Sequence, residues 1–200
     1  MNNLTYLNVS GLSSLNYLNC SGNYITGFNF TNCNNLTGLY ASNNSLTGDF
    51  NLSNFKNLTE VNLSFNSLTG IVVTGLTGLE RLIAQKNDIS GIVNLSNSKN
   101  LKEIDLSFNR LTGIVITGLT GLERLIVKDN AISGIDFYQT QNITLLEAQN
   151  NNTTGFSNFN LTGLKNINIS GNNITNFPNF YFLISGQYGM GFISSGNFRF

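Results

Sequence analysis

An asparagine recurs along this chain at nearly constant intervals, in steps of 21 or 22 residues. An aliphatic frame precedes each one, as in Leu101-x-x-Ile104-x-Leu106-x-x-Asn109. Periods of about 20–50 residues are typical of solenoids, in which each unit stacks only on its neighbours. The sequence therefore predicts one elongated domain that presents a long repetitive surface. The repeated asparagines are Asn23, Asn44, Asn66, Asn87, Asn109, Asn130, Asn151 and Asn172.

The second half of each frame alternates aliphatic with other residues, and this period of two indicates a β-strand. Because successive units run in the same direction, their strands are expected to form a parallel, concave sheet. A shorter frame, Leu4-x-x-Leu7-x-Val9, adds one strand to the eight and gives about nine. The returning segments, such as 70–73, carry apolar and β-branched residues between glycines and threonines. They predict extended or 3₁₀ structure on the convex side, with little or no α-helix.

Each repeated asparagine ends a strand at the point where the chain turns inward. Its amide has two donor hydrogens and an acceptor oxygen, so it can satisfy backbone groups in its own turn and in the next one. We predict that these amides form a structural ladder in the interior. Cys20 and Cys33 occupy positions where other units carry leucine, which favours buried free thiols over a disulfide.

Charge is sparse and balanced, with ten basic and ten acidic residues. This balance argues against nucleic acid or an anionic membrane as the partner. No stretch approaches the roughly 20 apolar residues of a membrane span, and the first residues lack the basic and apolar regions of a signal peptide. The neutral, asparagine-rich exterior indicates an extracellular, cell-surface or virion-surface location.

Candidate catalytic groups are missing from the sequence. The chain has no histidine, so neither a Ser-His-Asp triad nor a Cys-His pair can form. The sequence also lacks a phosphate-binding loop and the spacing of metal ligands. These observations predict a non-enzymatic protein without a cofactor or a metal.

The outward strand positions define a candidate binding face. Alternating signs at Glu60, Arg81, Glu103 and Arg124 predict a ladder of lateral salt bridges on it. Phe65 and Phe108 each precede a repeated asparagine and are expected to pack on the rim more often than to bind a ligand. The candidate face comprises Tyr17, Tyr40, Glu60, Asn62, Arg81, Ile83, Glu103, Asp105, Arg124, Ile126, Lys128 and Glu147, and the rim residues are Phe65 and Phe108.

Two eight-residue strings, 63–70 (LSFNSLTG) and 106–113 (LSFNRLTG), resemble the repeats of leucine-rich-repeat proteins of plant and bacterial cell surfaces. The resemblance covers roughly residues 4 to 177. It implies a solenoid that binds ligands on its concave sheet. The isoleucine-proline that follows the glycine in plant repeats is absent, as are cysteine-rich caps, so a bacterial or viral origin is favoured over a plant one.

The sequence divides into a repeat region, 1–177, and a terminal segment, 178–200. The terminal segment is aromatic and glycine-punctuated, and it predicts β-strands that cap the open core or pair with another chain in a homo- or hetero-oligomer. Two functions remain open. The chain is either a module that recognises a protein or glycan, or a structural, assembly or adhesion component of a virion fibre, a tail or a cell-surface appendage.

Overall fold

The structure is a computed structural model that describes residues 2–175. Within this range the chain forms sixteen strands, numbered in chain order, and no helix. Every second strand belongs to one parallel sheet of eight strands, each three residues long. These strands are β2 (Tyr17–Asn19), β4 (Gly38–Tyr40), β6 (Glu60–Asn62), β8 (Arg81–Ile83), β10 (Glu103–Asp105), β12 (Arg124–Ile126), β14 (Leu145–Glu147) and β16 (Asn166–Asn168). We call the outer side of this sheet, the predicted concave side, the sheet face.

The other strands lie on the opposite side of each coil, which we call the return side. They form four separate parallel pairs in place of one sheet. The expectation of extended returns without helix is confirmed, and the described residues contain no 3₁₀ segment. The pairs are β1 (Tyr6–Asn8) with β3 (Gly27–Asn29), β5 (Thr47–Asn51) with β7 (Ser67–Val72), β9 (Ser90–Asn94) with β11 (Arg110–Val115), and β13 (Ile135–Asp136) with β15 (Phe156–Ser157).

The predicted ninth strand of the large sheet is found on the return side. Residues 6–8 do form β1, but β1 pairs with β3, and Tyr6 lies opposite Gly27. The reason is the spacing of the first frame. Leu15 follows Leu4 by 11 residues, half of the 21–22-residue period, so the first segment is half a coil out of phase with the frames that follow.

Aliphatic side chains from both sides of every coil fill a continuous core. Leu39, Leu106 and Leu125 on the sheet side are fully buried, as are Leu52 and Ile116 on the return side. Both cysteines are free and buried, which confirms the prediction. The Sγ of Cys33 donates a hydrogen bond of 2.7 Å to the backbone oxygen of Val9, so the thiol also links two coils.

The repeated asparagines bind adjacent coils together through their amides. Asn109 is typical: its Oδ1 accepts the backbone N–H of Ile89 at 3.0 Å, and its Nδ2 donates to the oxygens of Leu106 and Ala84, each at 3.0 Å. In all eight asparagines the Oδ1 accepts an N–H from the preceding coil, and the Nδ2 donates to the carbonyl three residues earlier. Each amide satisfies backbone groups that are buried or partly buried between two coils.

The boundary that the sequence suggests at residue 177 lies outside the described residues. The predicted cap or oligomerisation segment, 178–200, lies outside the described residues.

Candidate functional site

Two tyrosines dominate the amino-terminal end of the sheet face. The rings of Tyr17 and Tyr40 have their centroids 5.2 Å apart and are tilted by 38°. Both lie over Gly38, where an added Cβ would come within 3.0 Å of the Tyr17 ring. Tyr17 is 54% exposed, so the pair presents aromatic surface to solvent. Glycine at position 38 therefore makes room for an aromatic pair on two adjacent strands, with Tyr17 exposed and Tyr40 half-buried.

The hydroxyl of Tyr40 is bound by the next strand. Its Oη donates a short hydrogen bond to the carboxylate of Glu60. This hydrogen bond, helped by partial burial and by the negative charge of Glu60, raises the pKa of Tyr40 to about 12. Glu60 thus serves the aromatic pair, and no ion pair joins it to Arg81 among the described residues.

The predicted ladder of salt bridges forms only at its carboxyl-terminal end. Glu103 accepts the Nε–H of Arg81 at 2.9 Å and that of Arg124 at 3.4 Å. The two arginines lie on the strands that flank Glu103 on either side. Both guanidinium groups are about half exposed, so each pair is worth only about 0–1 kcal/mol.

A second row of charges runs beside the first and has the opposite order of signs. Lys102 donates from its Nζ to Glu80 at 2.7 Å. This bond, together with the charges of Glu80 and Glu123, raises the pKa of Lys102. Each residue of this row precedes one of the first row along the chain, so signs alternate both along and across the strands. The middle of the sheet face is therefore a strip of mutually compensated charges.

The remaining predicted face residues separate into exposed and occupied groups. Lys128 and Glu147 pair at 2.7 Å and are each partly exposed, and this bond raises the pKa of Lys128. Asn62 and Asp105 end their strands by accepting the backbone N–H two residues on. Ile83, a predicted member of the binding face, is buried at 6% exposure, while Ile126 is half-buried. Ile83 lies in an inner strand, with β6 and β10 paired on its two sides, and it does not offer its side chain to a partner.

A row of left-handed residues runs along the end of the sheet, one per coil, each just before a repeated asparagine. Small or amide-bearing residues suit this conformation, whereas bulky side chains are strained by about 1–2 kcal/mol. Phe65, Lys86 and Phe108 nevertheless occupy it, with φ of 57°, 54° and 55°. The whole row is Gly22, Asn43, Phe65, Lys86, Phe108, Asp129, Asn150 and Gly171.

These three bulky residues form an exposed group that we call the rim cluster. Phe65 is 41% and Phe108 42% exposed. The Nζ of Lys86 lies over both rings, 4.7 Å from the centroid of Phe65 and 5.6 Å from that of Phe108. The sequence singled out both phenylalanines, but it gave no sign that a lysine lies between them.

The return side contains a cleft that sequence reasoning missed. Its volume is about 790 Å³, and Phe28, Phe30 and Phe55 line it together with several asparagines. Asn29 and Asn51 end return strands by accepting the N–H two residues on, from Thr31 and Ser53. The sequence signal for this region was the recurrence of Asn-x-Ser/Thr at the ends of the return strands. It indicates turns, and a ligand does not follow from it.

Within residues 2–175 no cluster of acidic, histidine or cysteine side chains could hold a metal ion. The same residues include no helix that is long and apolar enough to cross a membrane.

The family model described as "Leucine Rich Repeat" matches residues 14–36, 57–79 and 100–122. None of the curated protein sequences compared with the chain matches it.

Several solved structures share this fold. The functional domain of InlJ from Listeria monocytogenes is 30% identical, with a TM-score of 0.82, and the match covers 87% of this chain and 38% of that one. The Arabidopsis receptor kinase HAESA, solved with the peptide hormone IDA and a co-receptor, is 27% identical, with a TM-score of 0.72, over 88% of this chain and 33% of that one. The plant peptide hormone receptor RGFR1, solved with RGF2, is 25% identical, with a TM-score of 0.71, over 84% and 34%.

The present chain spans about a third of the length of these relatives. The similarity extends over most of its own residues, and the family model recurs in register with the asparagine ladder. The chain is a leucine-rich-repeat protein, with repeats of a bacterial or plant-like type.

Proposed function

We propose that the chain is a non-enzymatic recognition module that binds a protein or peptide through its sheet face, with the Tyr17–Tyr40 pair as the anchor. The single observation that carries this proposal is a pair of tilted tyrosine rings over a glycine, with Tyr17 exposed and Tyr40 half-buried. Tyrosine is enriched among the few interface residues that contribute most of the binding free energy. Its ring buries a large area at a small cost in conformational entropy, because it has only two rotatable bonds.

The compensated charges beside this pair give the partner its orientation. Arg81, Glu103 and Arg124 already neutralise one another, so a bound partner does not have to supply a matching net charge. Exposed ion pairs influence association rate and register more than affinity. The face thus combines one apolar anchor with a polar strip, which is the usual composition of a protein interface.

The relatives support a protein as the ligand. Two of the plant structures contain a receptor together with a peptide hormone, and both are at least 25% identical to this chain. A protein ligand is therefore favoured over a glycan, which the same aromatic pair would also accommodate. We further propose that the chain acts outside the cell, at a cell surface or a virion surface, in line with its sparse and balanced charge.

The experiment is a selection of binders from a phage-displayed library of random peptides, followed by titration of the selected peptides against single variants. We expect Tyr17→Ala and Tyr40→Ala to weaken binding at least about tenfold, because they remove the anchor. Tyr138→Ala is the matched control, since Tyr138 is also 54% exposed but lies on the return side. It should leave binding unchanged.

Two results would contradict the proposal. Selected peptides that depend on Tyr138 and are indifferent to Tyr17 and Tyr40 would place recognition on the return side. Failure to select any peptide, with the chain folded and monomeric, would favour the structural or adhesion alternative.

A further inference from the structure

We propose that the rim cluster, Phe65, Lys86 and Phe108, is a second binding site, which accepts a peptide segment carrying a carboxylate side chain between two apolar side chains. This site lies beside the sheet face and does not rest on the proposed role of Tyr17 and Tyr40. It consists of two exposed rings with an ammonium group between them, on three successive coils.

The backbone conformation is the first observation. Five of the eight coils place glycine, asparagine or aspartate at the left-handed position before the repeated asparagine, and these residues adopt it readily. Phe65, Lys86 and Phe108 adopt the same conformation with bulky side chains, at a cost in stability. Strained residues of this kind cluster at binding sites, where the surrounding structure holds them in place.

Exposure is the second observation. If the phenylalanines served packing alone, their rings would be covered, yet Phe65 and Phe108 remain 41% and 42% exposed. The hydrophobic core is formed by other side chains and does not include Phe65 or Phe108. The strain at Phe65 and Phe108 is therefore only partly compensated by buried apolar area.

Charge is the third observation, and it selects the ligand. All ten acidic side chains lie within residues 2–175, and none of them forms an ion pair with Lys86. Of the nine basic side chains within residues 2–175, five have such a partner, and Lys56, Lys99 and Lys165 lack one as Lys86 does. Lys86 differs from those three because it lies over two aromatic rings. The ammonium of Lys86 is held in place by two ring faces and keeps a donor for an incoming carboxylate.

The order of the cluster, with one ring on each side of the ammonium, suits an extended peptide whose outer side chains lean inward, because two residues of such a peptide rise about 6.8 Å. Adjacent coils lie about 4.8 Å apart, so the two rings flank the ammonium at one coil step on either side. In an extended peptide the side chains at i, i+2 and i+4 lie on one face. An acidic residue at i+2 would meet Lys86, while apolar residues at i and i+4 would contact the Phe65 and Phe108 rings.

The test uses nuclear magnetic resonance on the full chain and three peptides. Acetyl-Leu-Ser-Glu-Ser-Leu-amide is expected to shift the ring signals of Phe65 and Phe108 and the signal of the terminal methylene of Lys86. We expect half-saturation at a millimolar peptide concentration, which corresponds to a binding free energy of about 4 kcal/mol. Replacing the glutamate by glutamine, or both leucines by serine, should weaken binding about fivefold or more.

Protein variants separate recognition from folding. Phe65→Asn with Phe108→Asn introduces the residue that Asn43 and Asn150 already use in this row, so the melting temperature should rise while the peptide shifts disappear. Lys86→Gln should abolish the difference between the glutamate and glutamine peptides. Tyr17→Ala should leave all of these shifts unchanged.

The proposal is overturned if no rim signal shifts up to the solubility limit of the peptide. It is also overturned if the glutamate and glutamine peptides bind equally, or if the double asparagine variant lowers the melting temperature and retains the shifts. Loss of the shifts in Tyr17→Ala would move the peptide to the sheet face.

Discussion

The two sides of each coil obey one sequence period but pair differently. On the sheet face, strands of constant length continue through eight coils, and every neighbour is in register. On the return side the strands vary from two to six residues and join only in pairs. A fixed period therefore does not guarantee a continuous sheet on both sides of the coil.

The alternation between 21 and 22 residues coincides with two of the three breaks between pairs, those before β5 and before β9, whereas the break between β11 and β13 falls between two units of 21 residues. The longer units place their extra residue on the return side: Leu46 and Leu52 are six positions apart, whereas Leu68 and Val73 are five apart. Gly48 absorbs the extra residue with a φ of +70°, and Gly91 does the same in the other longer unit with +73°. The pairings of β5 with β7 and of β9 with β11 both contain a register shift.

Substituting one asparagine on each side of the coil gives the strongest test of the difference between the sheet side and the return side. Asn109→Ala should lower the free energy of unfolding by about 1–3 kcal/mol, because it leaves buried backbone groups of two coils without partners. Leucine at position 109 should not restore stability, since it cannot form these bonds. Chemical denaturation of the purified variants measures both effects.

Asn94 is the matched control on the return side. Its Oδ1 accepts only the N–H and the hydroxyl of Ser96, two residues on, and its side chain is exposed. Asn94→Ala should therefore cost less than about 0.5 kcal/mol, as exposed substitutions usually do. Equal losses in the two variants would show that the sheet-side amides are not the interior ladder that the sequence predicts.

The next prediction tests the backbone strain at the glycine that accommodates the extra residue in a 22-residue unit. Gly48→Ala should destabilise by about 1–2 kcal/mol, because a Cβ is strained at positive φ even where no atom lies within 4 Å. Gly163→Ala is the control: it also has open space around it, but it lacks a positive φ, and its effect should be near zero. Identical denaturation midpoints for the two variants would disprove the strain at Gly48.

The smallest expected effect concerns pH and the sheet face. The pKa of Tyr40 rises from 10.0 to about 12 in the folded chain, so its protonated form is favoured by folding. The stability that this provides is complete below pH 10 and is lost as the pH rises through 12. Glu60→Gln should return the pKa toward 10, which an ultraviolet titration of the tyrosines measures. A Tyr40 pKa that stays near 12 in this variant would rule out Glu60 as its cause.

Several features of the site could not be predicted from residues that are adjacent in the sequence. Glu60 was expected to pair with Arg81, but the hydroxyl of Tyr40 on the other adjacent strand takes its carboxylate. Both contacts are compatible with the register, and side-chain length and direction decide between them. Lys86 lies 21 or 22 residues from each phenylalanine that it contacts, so only the stacking of coils brings them together.

The sequence by itself determined the period, the inward aliphatic positions and the place of each asparagine, because these depend on residue spacing within one coil. The tertiary structure decided that residues 6–8 pair on the return side and that Glu60 accepts from Tyr40. It also decided which bulky residues adopt a left-handed backbone conformation. Those outcomes depend on distances across neighbouring coils, where several partners compete within a few ångströms. A repeat fixes the frame of a solenoid locally, and the contacts between coils then select the surface that a partner meets.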